Sequence, residues 1–328
     1  MPSQSQFVSA ADLERTAGSL RALPGREIDG FFGPGSITWG VNRECGVFLG
    51  AGRAALLQLA HPWVAASLAQ HSNLLHDAIG RFHSTFRVVY TMLFGTRGQA
   101  LAASRQLYGR HTGIRGELPA AIGAYPAHQH YEANEVEALR WVYATLVDSA
   151  LLAYGTVLPP LSPAAREVYY AESKRFGALC GIPPEALPGD WDSFATYMRE
   201  MLSSPALAVD ANAAALGRSV LAGVGTWVRP PRWYRALTAA WLPEPLRAGF
   251  GLPLGPREVR SLARATLWLP RLYPLLPSTL RFVGPYAEAH ARLRGQPPGA
   301  FTRRNNRFWM GQGRLLYPQL ALPATPEV

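Results

Sequence analysis

Cysteine, lysine and charge are all scarce in this chain of 328 residues, and each shortage removes a class of explanation. Its two cysteines, Cys45 and Cys180, lie far apart and form no C-x-x-C pair. A thiolate metal site and a disulfide scaffold are thereby excluded, and a reducing compartment is the expected setting. Charged residues make up 16% of the chain, against the roughly 25% of an average soluble protein. Much of the surface must therefore be buried within the chain or against something apolar. Positive charge is nearly all arginine, with Lys174 the single lysine. The formal net charge of +10 would suit a polyanion, but the densest cluster, Arg303, Arg304 and Arg307, has no nucleic-acid-binding module around it. Nucleic acid is accordingly not an expected partner.

Several catalytic signatures are missing as well. The chain has no Glu-x-x-His pair for a di-iron carboxylate site, no His-Glu-x-x-His of zinc proteases, no Gly-x-Ser-x-Gly elbow and no Walker-type phosphate loop. Alternation of apolar and polar residues, the mark of a half-buried strand, is also lacking. What remains is long Ala- and Leu-rich runs at helical spacing, which predict an all-α fold.

A helix is expected over 10 to 23, followed by the Gly-rich break Gly30 to Gly35. Further helices are predicted at roughly 37 to 45, 46 to 70, 73 to 94, 97 to 112, 134 to 154, 163 to 179, 190 to 202 and 206 to 217. Ser162 before Pro163 and Asp190 stand where caps are needed. The apolar stretch Val47 to Ala69 is long enough to cross about 30 Å of hydrocarbon. It contains Arg53, Gln58, His61 and Pro62, so it reads as a buried central helix. Beyond Gly217 the texture shifts to prolines and aromatics, including Trp227, Trp233, Tyr234 and Trp241, which predicts short helices joined by proline turns. The expected division is an N-terminal arm over 1 to 35, a helical core over 36 to 217 and a Pro/Trp-rich helical cap over 218 to 328. The last residues, 324 to 328, are expected to fray. The N-terminus has no basic segment leading into an apolar one, so the expected location is cytoplasmic.

Chemistry is most concentrated among the histidines. His61, His71, His76, His83 and His111 fall within one stretch, while His128, His130 and His290 lie outside it. A neutral imidazole tolerates burial and ligates heme iron or a lone metal ion. On a helix, Arg81, Ser84 and Thr85 share a face, which either presents a guanidinium and two hydroxyls to an anionic group or forms an exposed polar stripe. His111 falls at the end of a predicted helix. There it either caps carbonyls or serves as a ligand that the helix dipole makes more basic.

Longer motifs sharpen the choice. Leu49-Gly50-Ala51-Gly52-Arg53 through His61-Pro62, then His71-Ser72, Gly80-Arg81, Thr85, Phe94-Gly95-Thr96, His111 with Gly116, and Trp141 through Ser149 together resemble the catalytic domain of the MpaB oxygenase and latex clearing protein family, over roughly 35 to 210. The resemblance implies a multi-helix orthogonal bundle enclosing a non-covalent heme b, with His111 as the iron ligand. It also implies an oxygenase that uses dioxygen on a lipophilic substrate such as an isoprenoid or other alkene. Arg81 and Thr85 match a functional arginine and threonine of the family, and His61 joins them as a candidate catalytic residue. Arg81, Ser84, Thr85, Arg53 and Gln58 are the candidates for holding the cofactor.

Three departures stand out. Ser84 falls where latex clearing protein has a lysine, Tyr143 stands where many relatives have histidine, and no glutamate occurs between Gly46 and Asp77. The rival reading is a heme- or lipid-binding helical protein without turnover. Peripheral contact with a membrane through the Trp- and Pro-rich C-terminal part is compatible with either.

Overall fold

The computed structural model describes residues 7–72, 77–223 and 229–316. His76, Trp227 and the segment 324–328 lie outside the described residues. Those described form an all-α protein of sixteen helices and one small hairpin.

The arm begins with α1 (Ala10–Arg21), started by a capping box in which Ser9 and Asp12 satisfy each other's backbone amides. After the Gly-rich break come α2 (Ile37–Asn42), a 3-10 segment at Cys45–Gly50, α3 (Ala51–Leu59) and α4 (Pro62–His71). The single helix expected over 46 to 70 is thus split. Proline bars the preceding residue from helical backbone, and His61 sits extended at φ −84° and ψ 118°, turning the chain between α3 and α4.

Next are α5 (Ala78–Phe94) and α6 (Arg97–His111), the latter opened by a Thr96–Gln99 capping box. Two strands that the sequence did not predict follow, β1 (Arg115–Glu117) and β2 (His130–Glu132), antiparallel with Gly116 opposite Tyr131. Only glycine fits there, because a Cβ at Gly116 would lie 2.5 Å from Gln70 Oε1 and 2.7 Å from the Tyr131 hydroxyl.

The centre of the molecule is α7 (Val136–Val157), a helix of 22 residues that buries Trp141 and Tyr143 completely or nearly so. The Trp141 indole donates to Leu57 O at 2.8 Å, pinning α7 to α3. Gly50 packs so closely on the other side that a Cβ would meet Ser149 O at 2.4 Å. Around this axis lie α8 (Pro163–Leu179), α9 (Trp191–Ser203) and α10 (Ala211–Ala222), with Ser162 and Asp190 capping α8 and α9 where the sequence places them.

The C-terminal part continues as α11 (Arg232–Ala240), α12 (Glu244–Gly249), α13 (Pro256–Leu272), α14 (Ser278–Arg281), α15 (Gly284–Leu293) and α16 (Ala300–Met310). These helices pack on the core: α13 on α7, and α15 and α16 on α5. Among the described residues, no helix is long and apolar enough to cross a membrane.

Candidate functional site

Between the core and the C-terminal helices lies a cavity of about 1260 Å³, larger than the 300–1,000 Å³ usual for ligand pockets. Its walls are mostly aliphatic and aromatic. Phe48, stacked on Trp309 with ring centroids 4.1 Å apart, forms one side together with Phe82 and Phe86. Along α7, Ala138, Leu139, Val142, Tyr143, Leu146 and Val157 all face the cavity. The outermost of these are nineteen residues apart, so the cavity follows the helix for about 28 Å at 1.5 Å per residue.

Polar groups gather at one end of this channel, next to the start of α7. From α5 come Arg81, Ser84 and Thr85, from α6 Arg110 and His111, and from α16 Arg307. The helical spacing predicted for the first three holds, and they line the cavity where it meets solvent, Arg81 and Thr85 exposed and Ser84 half-buried. The Thr85 hydroxyl donates to Arg81 O at 3.0 Å, and Arg110 Nη1 approaches Ser84 Oγ at 3.4 Å. None of the three arginines forms an ion pair among the described residues, and Glu132 is the one carboxylate among the lining residues described. The result is an unneutralised cationic corner on an otherwise apolar chamber. Such a corner favours an anionic group bound beside a greasy one.

His111 sits in this corner. Burial pushes its imidazole down to about 4, with Arg81 and Arg110 adding to the shift. The sequence had suggested the reverse, a ring made more basic by the helix end. The macrodipole contributes at most about 2 kcal/mol, and desolvation plus two neighbouring guanidinium groups outweigh it. The side chain of the buried Asn134 opposes the shift. Asn134 is a site residue that sequence reasoning missed. It lies in the turn after the hairpin, and only the pairing of β1 with β2 carries it back to α6.

Neutral at ordinary pH, His111 can offer a ring nitrogen to a metal. No group of three or more His, Cys, Asp or Glu side chains among the described residues could hold a metal ion by itself. A single imidazole in this setting could hold a metal only if the remaining ligands came from a cofactor. A planar apolar ring with acidic substituents matches both the aromatic walls and the arginines.

The other candidates are placed differently. Gln58 lines the cavity, its amide donating to Thr145 Oγ1 at 3.0 Å. Arg53 does not line it. Its guanidinium is committed to Asp148 at 2.7 Å, Ser149 Oγ at 2.8 Å and Trp241 O at 3.0 Å. His61 is also outside the lining, fully buried with Nε2 3.2 Å from the Tyr125 hydroxyl and 3.9 Å from Glu137. His71 reaches Arg115 O and His83 reaches Phe308 O, so both tie elements together at the cavity edge. Tyr143 turns its ring to the cavity and its hydroxyl to Ser173 Oγ at 2.7 Å.

No curated protein and no solved structure matches the chain. The stretch from Trp39 to Arg271, which supplies α3 to α12 and nearly all of α13, does find a counterpart. It matches the family described as ER-bound oxygenase mpaB/B'/Rubber oxygenase, catalytic domain, over residues 39–271, and the chain belongs to that family.

Proposed function

We propose that the protein is a heme b-dependent oxygenase that uses dioxygen on a lipophilic, alkene-containing substrate, with His111 as the residue that would hold the iron. The observation that carries this reading is a half-buried, neutral imidazole lining an apolar cavity whose only dense charge is cationic. Bound there, heme would supply the activation of dioxygen. The chain's own residues do the rest. Arg81 and Arg110 would offset the charge of acidic substituents on the ring, and Ser84 and Thr85 border the same corner with their hydroxyls. Phe48, Phe82, Phe86 and Trp309 exclude water and stack against flat or extended apolar groups. Gln58, steadied by Thr145, is a polar side chain on the wall contributed by α3. Cytoplasmic residence belongs to the same reading, with Cys45 and Cys180 both free thiols.

One observation favours a second reading, binding without turnover: Glu132 is the one carboxylate among the described lining residues, so an acid-base partner is hard to find. Oxygen uptake in the presence of an isoprenoid separates the two.

The test of the main reading is the absorption spectrum of protein produced with added heme precursor, set beside His111→Ala. A Soret band at close to one heme per chain, lost or strongly shifted in the variant, is expected. A wild-type protein that folds and takes up no heme would overturn the proposal.

A further inference from the structure

The far end of the channel lies against α13 and the turn after it, and that region faces outward in an unusual way. Thirteen large apolar side chains are exposed among the described residues, and six of them fall within fourteen consecutive positions: Leu267, Trp268, Leu272, Leu275, Leu276 and Leu280. Leu275 is the extreme case at 77% exposed. Trp268 and Leu272 are four apart on α13 and share a face. Leu275 and Leu276 follow in a turn bracketed by Pro274 and Pro277, and Leu280 stands on α14 just beyond it. A contiguous apolar surface of this kind on a folded chain marks something that covers it.

Charge says what that is. Exposed positions of α13 carry Arg257, Arg260, Arg264 and Arg271 against the single acid Glu258, and none of these arginines forms an ion pair among the described residues. Apolar side chains beside unpaired guanidinium groups, with a tryptophan among them, are the pattern of a helix lying in the interface of an anionic bilayer. A second copy of the chain would instead place like-charged arginines opposite one another.

The same helix also bounds the channel. Its inner face contributes Leu269, Tyr273 follows, and Leu276 belongs both to the cavity wall and to the exposed apolar surface. We infer that α13 and the turn to α14 dock the protein on the surface of an anionic lipid bilayer, so that the channel opens where lipophilic molecules are dissolved. The docking stands on the exposed surface alone. Delivery of substrate through it rests on the reading given under Proposed function.

The experiment is co-sedimentation of the full chain with phosphatidylcholine vesicles, with and without phosphatidylglycerol. The wild type is expected to bind the anionic vesicles and to lose that binding as salt rises. Leu272→Glu combined with Leu275→Glu should weaken it roughly tenfold or more, since two apolar anchors are replaced by charges. Arg260→Glu with Arg264→Glu should act on anionic vesicles only. Hydrogen exchange of the wild type on vesicles should show protection over 267–280, a readout that needs no variant to fold. Absence of vesicle binding overturns the inference, as does binding that these substitutions leave unchanged. It is equally overturned by a dimer in solution that the leucine substitutions dissociate while vesicles remain unbound. Because the readout involves neither heme nor turnover, its outcome is independent of the spectrum that tests the oxygenase.

Discussion

At the scale of single residues, Glu135 shows how far burial alone can set chemistry. It precedes α7, is 1% exposed, accepts from Glu132 N through Oε1 and has no partner at Oε2. Burial is the main cause that pushes its carboxyl up to about 7, with Glu137 and Glu132 adding to it, from an ordinary 4.5. Between those pH values the folded state keeps a proton that the unfolded chain has released, so stability falls as pH rises from about 4.5 to 7. The loss should be on the order of 1–3 kcal/mol. Glu135→Gln is expected to remove this slope: thermal melts should show the variant gaining on the wild type at pH 8 relative to pH 5. Equal gains at both pH values would refute the assignment. Neither Glu135 nor Asn134 was legible in the sequence, because each owes its environment to a hairpin of three residues per strand, too short for alternation to register. Arg81, Ser84 and Thr85 were legible, since i, i+3 and i+4 spacing on a strongly periodic helix fixes a shared face.

At the scale of elements, the helices that the sequence marked with caps begin where predicted, as α8 and α9 do. The predictions failed where two rules competed. The apolar run over 46 to 70 favoured one helix, while Pro62 forced His61 into extended backbone, and the steric rule won. This break makes α3 a separate strut against α7, held by Arg53 and its partners, the half-buried Asp148 and the buried Ser149. Arg53→Met should destabilise the protein by about 3 kcal/mol, near the lower end for breaking a buried pair, because the Asp148 side chain keeps 26% of its surface exposed. Urea denaturation would measure this. The position of the Soret band should not move if Arg53 is a strut; a folded variant that has lost heme would make it a cofactor ligand instead.

At the scale of the molecule, the channel along α7 joins the cationic corner at His111 to the apolar surface of α13. Its existence could not be read from the sequence. The walls come from α3, α4, α5, α7, α13 and α16, whose apolar residues look like ordinary core until the helices are assembled. Leu146 lies midway along it. Leu146→Trp is expected to leave the heme spectrum in place and to reduce kcat/KM for long alkenes more than for short ones. A uniform loss across chain lengths would show that substrate does not lie along α7. If it does, the channel acts as a ruler. A flexible chain carrying many identical double bonds offers no chemical reason to prefer one of them, yet a corridor of fixed length presents the same one each time, counted from the end that leads. The oxidised fragments would then differ little in size, whatever the length of the molecule from which they were cut.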